Sequence, residues 1–336
     1  MIDRWRAGRS RWLRLRLRPA DRVISAGFTY ALSVAVSGSA GVERRTAVAD
    51  LSRGVVEYRL ERRGPRTVLM MHGGHMRASL PLGEEVFADA GYTVLAPSRP
   101  GYGRTPITTG TSLEGFAGVV AELCDQLGIG SVAAVVGQSA GGPGAVTMAA
   151  RCPALVERLI LQSAVGPLAW PDRRMQLGGR VVFSPRTEHL TWALMHILVR
   201  RAPAVGLRLL LRDLSVQPVR PVEAALAEPH RALAAALFGR MRSGSGFSAD
   251  LRNFTDTAGY RETAAGVGQA ALVIASPADG AVPFAHARAL ADALPNARLI
   301  ASRAPGHFIW FGDDYPAIAA IITSFLEADP ADPAGS

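Results

Sequence analysis

Lysine is absent from this chain, and all 37 basic side chains are arginine. That choice reads first as the codon bias of a GC-rich genome and says little about partners. A nucleic-acid footprint would interleave a basic patch with aromatic residues. Aromatics are only 7% of the chain and form no such patch, so no nucleic-acid partner is expected. Cysteine is scarce as well. Cys124 and Cys152 fall on expected helices beside apolar neighbours. They offer neither a disulfide framework nor a C-x-x-C metal pair and read as reduced core residues. With no H-E-x-x-H and no acidic cluster, no metal is expected.

The formal charge of +9 is uneven. Residues 1–22 hold eight arginines against Asp3 and Asp21, so this head carries +6 and the remainder only +3. Residues 23–42 then hold no charge. Head and uncharged segment together resemble the n- and h-regions of a signal peptide, or an anchor with its N-terminus inside. Ser25, Gly27, Thr29, Ser33, Ser37, Gly38 and Ser39 dilute the apolar run, which makes it a marginal span. A cytoplasmic location is favoured, with anchoring or export through residues 1–42 as the alternative. Residues 328–336, rich in Pro, Ala and Asp, read as a disordered tail.

What the chain has in abundance is the alternation of short apolar runs with helical segments. Two opening strands are expected near Thr46–Ala49 and Val55–Leu60. Then follow a strand at 67–71, a helix at 82–90, a strand at 93–97, a helix at 113–127, a strand at 132–137, a helix at 141–151 and a strand at 158–164. This order predicts a mostly parallel sheet with helices on both faces. Ligands in such sheets sit at the carboxyl ends of the strands. The alternation breaks between Gly166 and about Gly268, where helical segments are expected at 188–198, 205–214 and 222–242. Within them, Leu194, Met195, Leu198, Leu209, Leu210, Leu237 and Phe238 are assigned mainly to the insert's own core, with a pocket-facing role as the alternative. A last strand and helix cover 297–327.

At one strand end the run Gly137-Gln138-Ser139-Ala140-Gly141 fits G-x-S-x-G. Val132–Val136 before it and Ala145–Ala150 after it give the strand, tight turn and helix that a nucleophile elbow requires. Small residues let the backbone turn and push the Ser139 hydroxyl out over the sheet edge. The strand at 271–277 ends at Asp279-Gly280, and the one at 297–302 is followed by Pro305-Gly306-His307. Asp279 and His307 can converge on the serine, with His307 as general base and Asp279 fixing its tautomer. Asp256 is a backup acid. Val68–Met71 stops at His72-Gly73-Gly74-His75, where the Gly74 N–H can reach a substrate oxygen. The Ala140 N–H would be the second oxyanion donor. His72 is read as ordering that loop, and His75 as either pocket liner or surface residue. His189, His196, His230 and His286 are taken as structural or solvated. Arg99 and Arg104 order a loop or grip a substrate carboxylate. The competing readings are an ordinary turn serine, a satisfied loop histidine and an Asp-Gly turn.

His72-Gly73-Gly74, Gly137–Gly142, Asp279 and His307 together resemble the α/β-hydrolase superfamily. Ala96–Pro106 is similar to the loop after the next strand in its esterase and peroxidase-like branches. The resemblance covers about residues 45–327 and implies an α/β fold with a helical cap. The expected division is a head at 1–42, a hydrolase core at 43–165 and 269–327, a helical cap at 166–268 and a tail at 328–336. Family members often carry a bulky residue where Gly74 stands, which leaves the wall there open or filled by His75.

The expected activity is hydrolysis of a carboxylic ester of a small or medium apolar substrate through an acyl-enzyme, without a cofactor. Ser139, Asp279 and His307 would carry it, with Gly74 and Ala140 at the oxyanion and His72, Gly73, Gly137, Gln138 and Gly141 in support. A serine nucleophile argues against the dehalogenase and epoxide hydrolase branches. Cofactor-free perhydrolysis, C–C hydrolysis and acyl transfer share the same triad. A weakly catalytic binding module is the reading from another class. The expected partner is a small ester, and the oligomeric state is open.

Overall fold

The structure is a computed structural model that describes residues 42–171, 182–184 and 186–328. Most of the N-terminal head and its uncharged segment, and the tail from 329, lie outside the described residues. Eight strands form one sheet: β1 (Ala47–Leu51), β2 (Gly54–Glu61), β3 (Thr67–Met71), β4 (Thr93–Pro97), β5 (Ala134–Gln138), β6 (Arg158–Gln162), β7 (Ala270–Ala275) and β8 (Ala297–Ala301). Their order is β1-β2-β4-β3-β5-β6-β7-β8. β1 and β2 pair antiparallel, as do β2 and β4. All remaining pairs are parallel.

The parallel strands are continuous apolar runs because both their faces are covered. Successive side chains enter opposite cores. Leu69, Val135, Leu161 and Val273 join the cluster on one face, while Met70, Val136, Ile160 and Leu272 join the other. The first face carries α2 (Leu113–Gln126), α3 (Gly142–Arg151) and α10 (Ala285–Ala293). The second carries α1 (Glu85–Asp89) and α11 (Tyr315–Glu327). Helix α1 is shorter than the expected 82–90. Gly83 sits at φ +65°, and the Trp310 ring occupies the space a side chain there would need, so the helix cannot begin earlier.

Between β6 and β7 there are six helices among the described residues: α4 (Glu188–Arg201), α5 (Pro203–Arg212), α6 (Val219–Ala225), α7 (Glu228–Phe238), α8 (Gly246–Asn253) and α9 (Thr257–Ala265). The single helix expected over 222–242 is two. Leu226 and Ala227 are extended, and Pro229 lies in the first turn of α7, where its missing N–H costs nothing. Leu237 and Phe238 are buried, but Leu194 and Leu209 are not core residues. They are 60% and 38% exposed, because Trp192 and Val199 turn the other side of α4 inward and Leu207 and Leu211 do so on α5. Helix α9 lies against α3 and α10, with Ala264 in the sheet-side core. Among the described residues no helix is long and apolar enough to cross a membrane.

Candidate active site

Ser139 stands at the carboxyl end of β5, at the start of a single 3-10 turn that leads into α3. Its φ is +50°, in the left-handed region that non-glycine residues avoid. Two glycines permit the bend. A Cβ on Gly141 would lie 2.2 Å from the Met71 carbonyl oxygen, and one on Gly137 would lie 2.7 Å from Ala145 Cβ. The strain is held by tight packing of elbow, β3 and helix, a combination that persists where surrounding structure over-determines it. Gln138 donates to Leu82 O (2.7 Å) and Gln162 Oε1 (3.1 Å), which fixes the residue before the serine.

The structure brings Asp279 and His307 together. His307 Nδ1 donates to Asp279 Oδ2 at 2.7 Å, and both side chains are buried. Asp279 Oδ1 also accepts from the Ala281 and Val282 N–H groups at 2.8 and 2.9 Å. With its proton on Nδ1, the ring keeps Nε2 as its accepting nitrogen. The His307 backbone is pinned from two sides. Its N–H donates to Leu214 O (2.8 Å), and its carbonyl accepts from Ser163 Oγ (2.8 Å). Asp256 is elsewhere. It caps α9 by accepting from the Gly259 N–H at 2.9 Å.

The loop after β3 lies against the elbow. A Cβ on Gly73 would be 3.2 Å from Ser139 Cβ, and one on Gly74 would be 3.9 Å from Ala140 Cβ. The space beside Gly74 is neither open nor filled by His75. The Phe247 ring of α8 takes it, 3.2 Å from where that Cβ would stand. His72 is buried and neutral by its bonding: Nδ1 donates to Gly73 O (2.8 Å) while Nε2 accepts the Arg99 N–H (2.9 Å). Burial and then the Arg99 charge hold its pKa well below the ordinary imidazole value.

His75, at φ +62°, lies among the rings of Phe247, Phe183 and Trp192, with centroids 4.1, 4.7 and 5.2 Å away. Ser243 Oγ accepts from Trp192 Nε1 at 2.7 Å, so its hydroxyl proton is free to go to His75 Nδ1, also at 2.7 Å. That places the His75 ring proton on Nε2. Burial first, then Arg99, pushes the His75 pKa down to about 3.

Arg99 and Arg104 both find protein partners. Arg99 makes a two-pronged ion pair with Asp250 of α8 (2.8 and 2.9 Å) and donates to His72 O (2.9 Å). Tyr102 Oη donates to the same carboxylate at 2.6 Å. Arg104 binds Glu57 Oε1 at 2.9 Å. The roles of Ser163, Ser243, Phe247 and Asp250 were not foreseen from sequence. Ser163, at a strand end and φ +47°, had the one readable signal, a polar residue closing an apolar run. A groove of about 620 Å³ opens between α2, α3 and α9, bordered by Thr147, Arg151 and Tyr260. It takes in none of Ser139, Asp279, His307 or Gly74.

The parallel sheet, the strained serine at its carboxyl edge and the acid–histidine pair on the loops after β7 and β8 define an α/β hydrolase. Residues 66–314 match the α/β hydrolase fold family, and the chain belongs to it. It is 32% identical over 289 residues to the uncharacterized hydrolase YcgS of Bacillus subtilis (strain 168), a match that covers 85% of this chain and all of that one. Among solved structures it resembles an α/β hydrolase fold protein from Nakamurella multipartita (TM-score 0.69, 22% identity, 84% of this chain and 99% of that one). It also resembles the esterase EaEST from Exiguobacterium antarcticum (TM-score 0.60, 16% identity, 84% and 100%). The protein is thus a hydrolase by family, and the two structural likenesses speak for its fold.

Proposed function

We propose that this hydrolase cleaves carboxylic esters of small or medium apolar substrates through an acyl-enzyme. The observation that carries the reading is the left-handed Ser139 at the elbow, together with the 2.7 Å His307–Asp279 hydrogen bond on the adjacent strand loops. Ser139 Oγ attacks the ester carbonyl and passes its proton to His307 Nε2. Asp279 stabilises the imidazolium, and His307 then protonates the leaving alkoxide. The N–H groups of Gly74 and Ala140 take the oxyanion, a contribution of roughly 10²–10³ in turnover per donor. Water, activated by His307, releases the acid. No cofactor enters this cycle. The helices between β6 and β7 act as a cap that walls the pocket and excludes water. Trp192, Phe183 and Phe247, packed about His75 beside Gly74, favour an apolar acyl or alcohol group.

The test is fluorophosphonate labelling of the wild type beside Ser139→Ala, read by intact mass, with turnover of a short p-nitrophenyl ester in parallel. One adduct and ester turnover, both lost on mutation, are expected. A folded wild type that takes no adduct and turns over no ester sinks the proposal and favours a binding module.

A further inference from the structure

We infer that the outward face of α4 and α5 docks on the surface of a bilayer bearing anionic headgroups. Of the nine large apolar side chains exposed among the described residues, seven lie between 182 and 216. Leu190, Leu194 and Ile197 follow one another at helical spacing along α4, and Val205 and Leu209 do so along α5. Val216, just beyond α5, is 69% exposed. The two helices pack closely, with Gly206 set against Val199, which keeps the two exposed stripes within one helical pair. Concentration of exposed apolar surface in one place marks an interaction site, whereas scattered single residues do not.

The charges choose the occupant. Arg201 continues the α4 stripe one turn beyond Ile197, and Arg212 continues the α5 stripe three residues beyond Leu209. Arg200, Arg208 and Arg220 flank them and are exposed. The nearby acids are already engaged. Glu188 is buried and accepts from the Ser243 and Gly244 N–H groups, while Asp213 pairs with Arg212 and Glu223 with Arg208, so the net positive charge of the face rests on Arg200, Arg201 and Arg220. An apolar stripe bordered by arginines is the pattern of an interfacial helix that lies in the headgroup plane. A second copy of the chain would set arginines against arginines. The uncharged segment 23–42 would offer the arginines nothing, whereas the eight arginines of residues 1–22 carry the sign that suits the same anionic surface.

The face is also placed where docking would matter. Helix α5 runs directly into Leu214, whose carbonyl accepts from the N–H groups of both His307 (2.8 Å) and Gly280 (3.3 Å). A docked bilayer therefore adjoins the segment that spans the acid and histidine loops. The docking itself does not depend on the ester reading, since it is measured without substrate.

The full chain is sedimented with vesicles of phosphatidylcholine alone and of phosphatidylcholine with phosphatidylglycerol. Wild type should pellet with the anionic vesicles, less with the neutral ones, and less at high salt. Leu194→Asp with Ile197→Asp should lower the partition coefficient roughly tenfold or more, since both exposed side chains lose their apolar contact. Arg201→Glu with Arg212→Glu should do the same and serves if the first variant does not fold. Wild type that stays in the supernatant overturns the inference. So do folded variants that pellet like wild type, which would assign binding to the head alone. A wild-type dimer that ignores vesicles and is split by the substitutions would assign the face to a second copy.

Discussion

At the scale of single residues, His75 shows how a side chain can be held neutral by its surroundings. Its pKa of about 3 results from burial and the Arg99 charge, whereas an unfolded chain returns it to about 6.5. Above pH 6.5 neither state binds the proton, and the stability tied to this ring is fully present. As pH falls from 6.5 toward 3, the unfolded chain takes up a proton that the folded chain refuses, and stability is lost. Full burial would allow roughly 2 kcal/mol of this loss at pH 5. His75 as a residue is only half-buried, so about 1 kcal/mol is expected. His75→Asn keeps a residue that tolerates the left-handed backbone and removes the titration. Urea unfolding at pH 7 and 5 should show a smaller drop for this variant than for wild type. Equal drops would mean that the ring is not held neutral by the fold.

Among elements, α8 is tied to the loop after β4 by a buried ion pair. Arg99 and Asp250 are 5% and 6% exposed, and Tyr102 shares the carboxylate. Removing one member leaves an uncompensated buried charge, so Arg99→Met or Asp250→Asn should each cost about 3–5 kcal/mol. The double change Arg99→Met with Asp250→Asn should cost less than the sum of the two singles, because neither charge is then left alone. Urea midpoints of the four proteins check this, and an additive result would mean that the two side chains are not coupled. No pattern in the sequence pointed to this pair. Asp250 is one acid in a helical stretch, and its partner lies 151 residues away. The strands were legible because burial on both faces demands unbroken apolar runs. The elbow, the acid loop and the histidine loop were legible because each follows such a run. The split of α6 from α7 was foreshadowed by Pro229. The outward turn of Leu194 and Leu209 was not, since a run of leucines gives helix without saying which side meets solvent.

For the molecule as a whole, the question is how the helical layer and the sheet hold one site in register. Beside the shared apolar core, one short stretch of backbone and side-chain bonds ties the two directly at the site. Leu214 O accepts from Gly280 and His307, Ser215 Oγ donates to Pro305 O at 2.5 Å, and Val216 N–H donates to Ala278 O at 3.0 Å. Ala278 and Gly280 of the acid loop and Pro305 and His307 of the histidine loop thus all rest on three consecutive residues that follow α5. Glycine is required on the sheet side of this contact. A Cβ on Gly280 would stand 2.7–2.9 Å from the Ser215 backbone, which has no flexible end to give way. Gly280→Ala must then push the α5 exit away or move Asp279 from beneath His307. Either shift alters the one hydrogen bond that sets the His307 tautomer, and a misplacement of about 1 Å costs roughly 10²-fold in rate. The expected result is a fall in kcat for the p-nitrophenyl ester of about 10- to 100-fold, with the thermal midpoint lowered by only a few degrees. Val199→Ala, in α4 of the same layer and set against Gly206 rather than against the acid and histidine loops, should lower the midpoint while leaving kcat near wild type. If Gly280→Ala keeps full kcat, the two layers do not position the site together, and the acid loop holds its geometry through the Ala281 and Val282 amides alone.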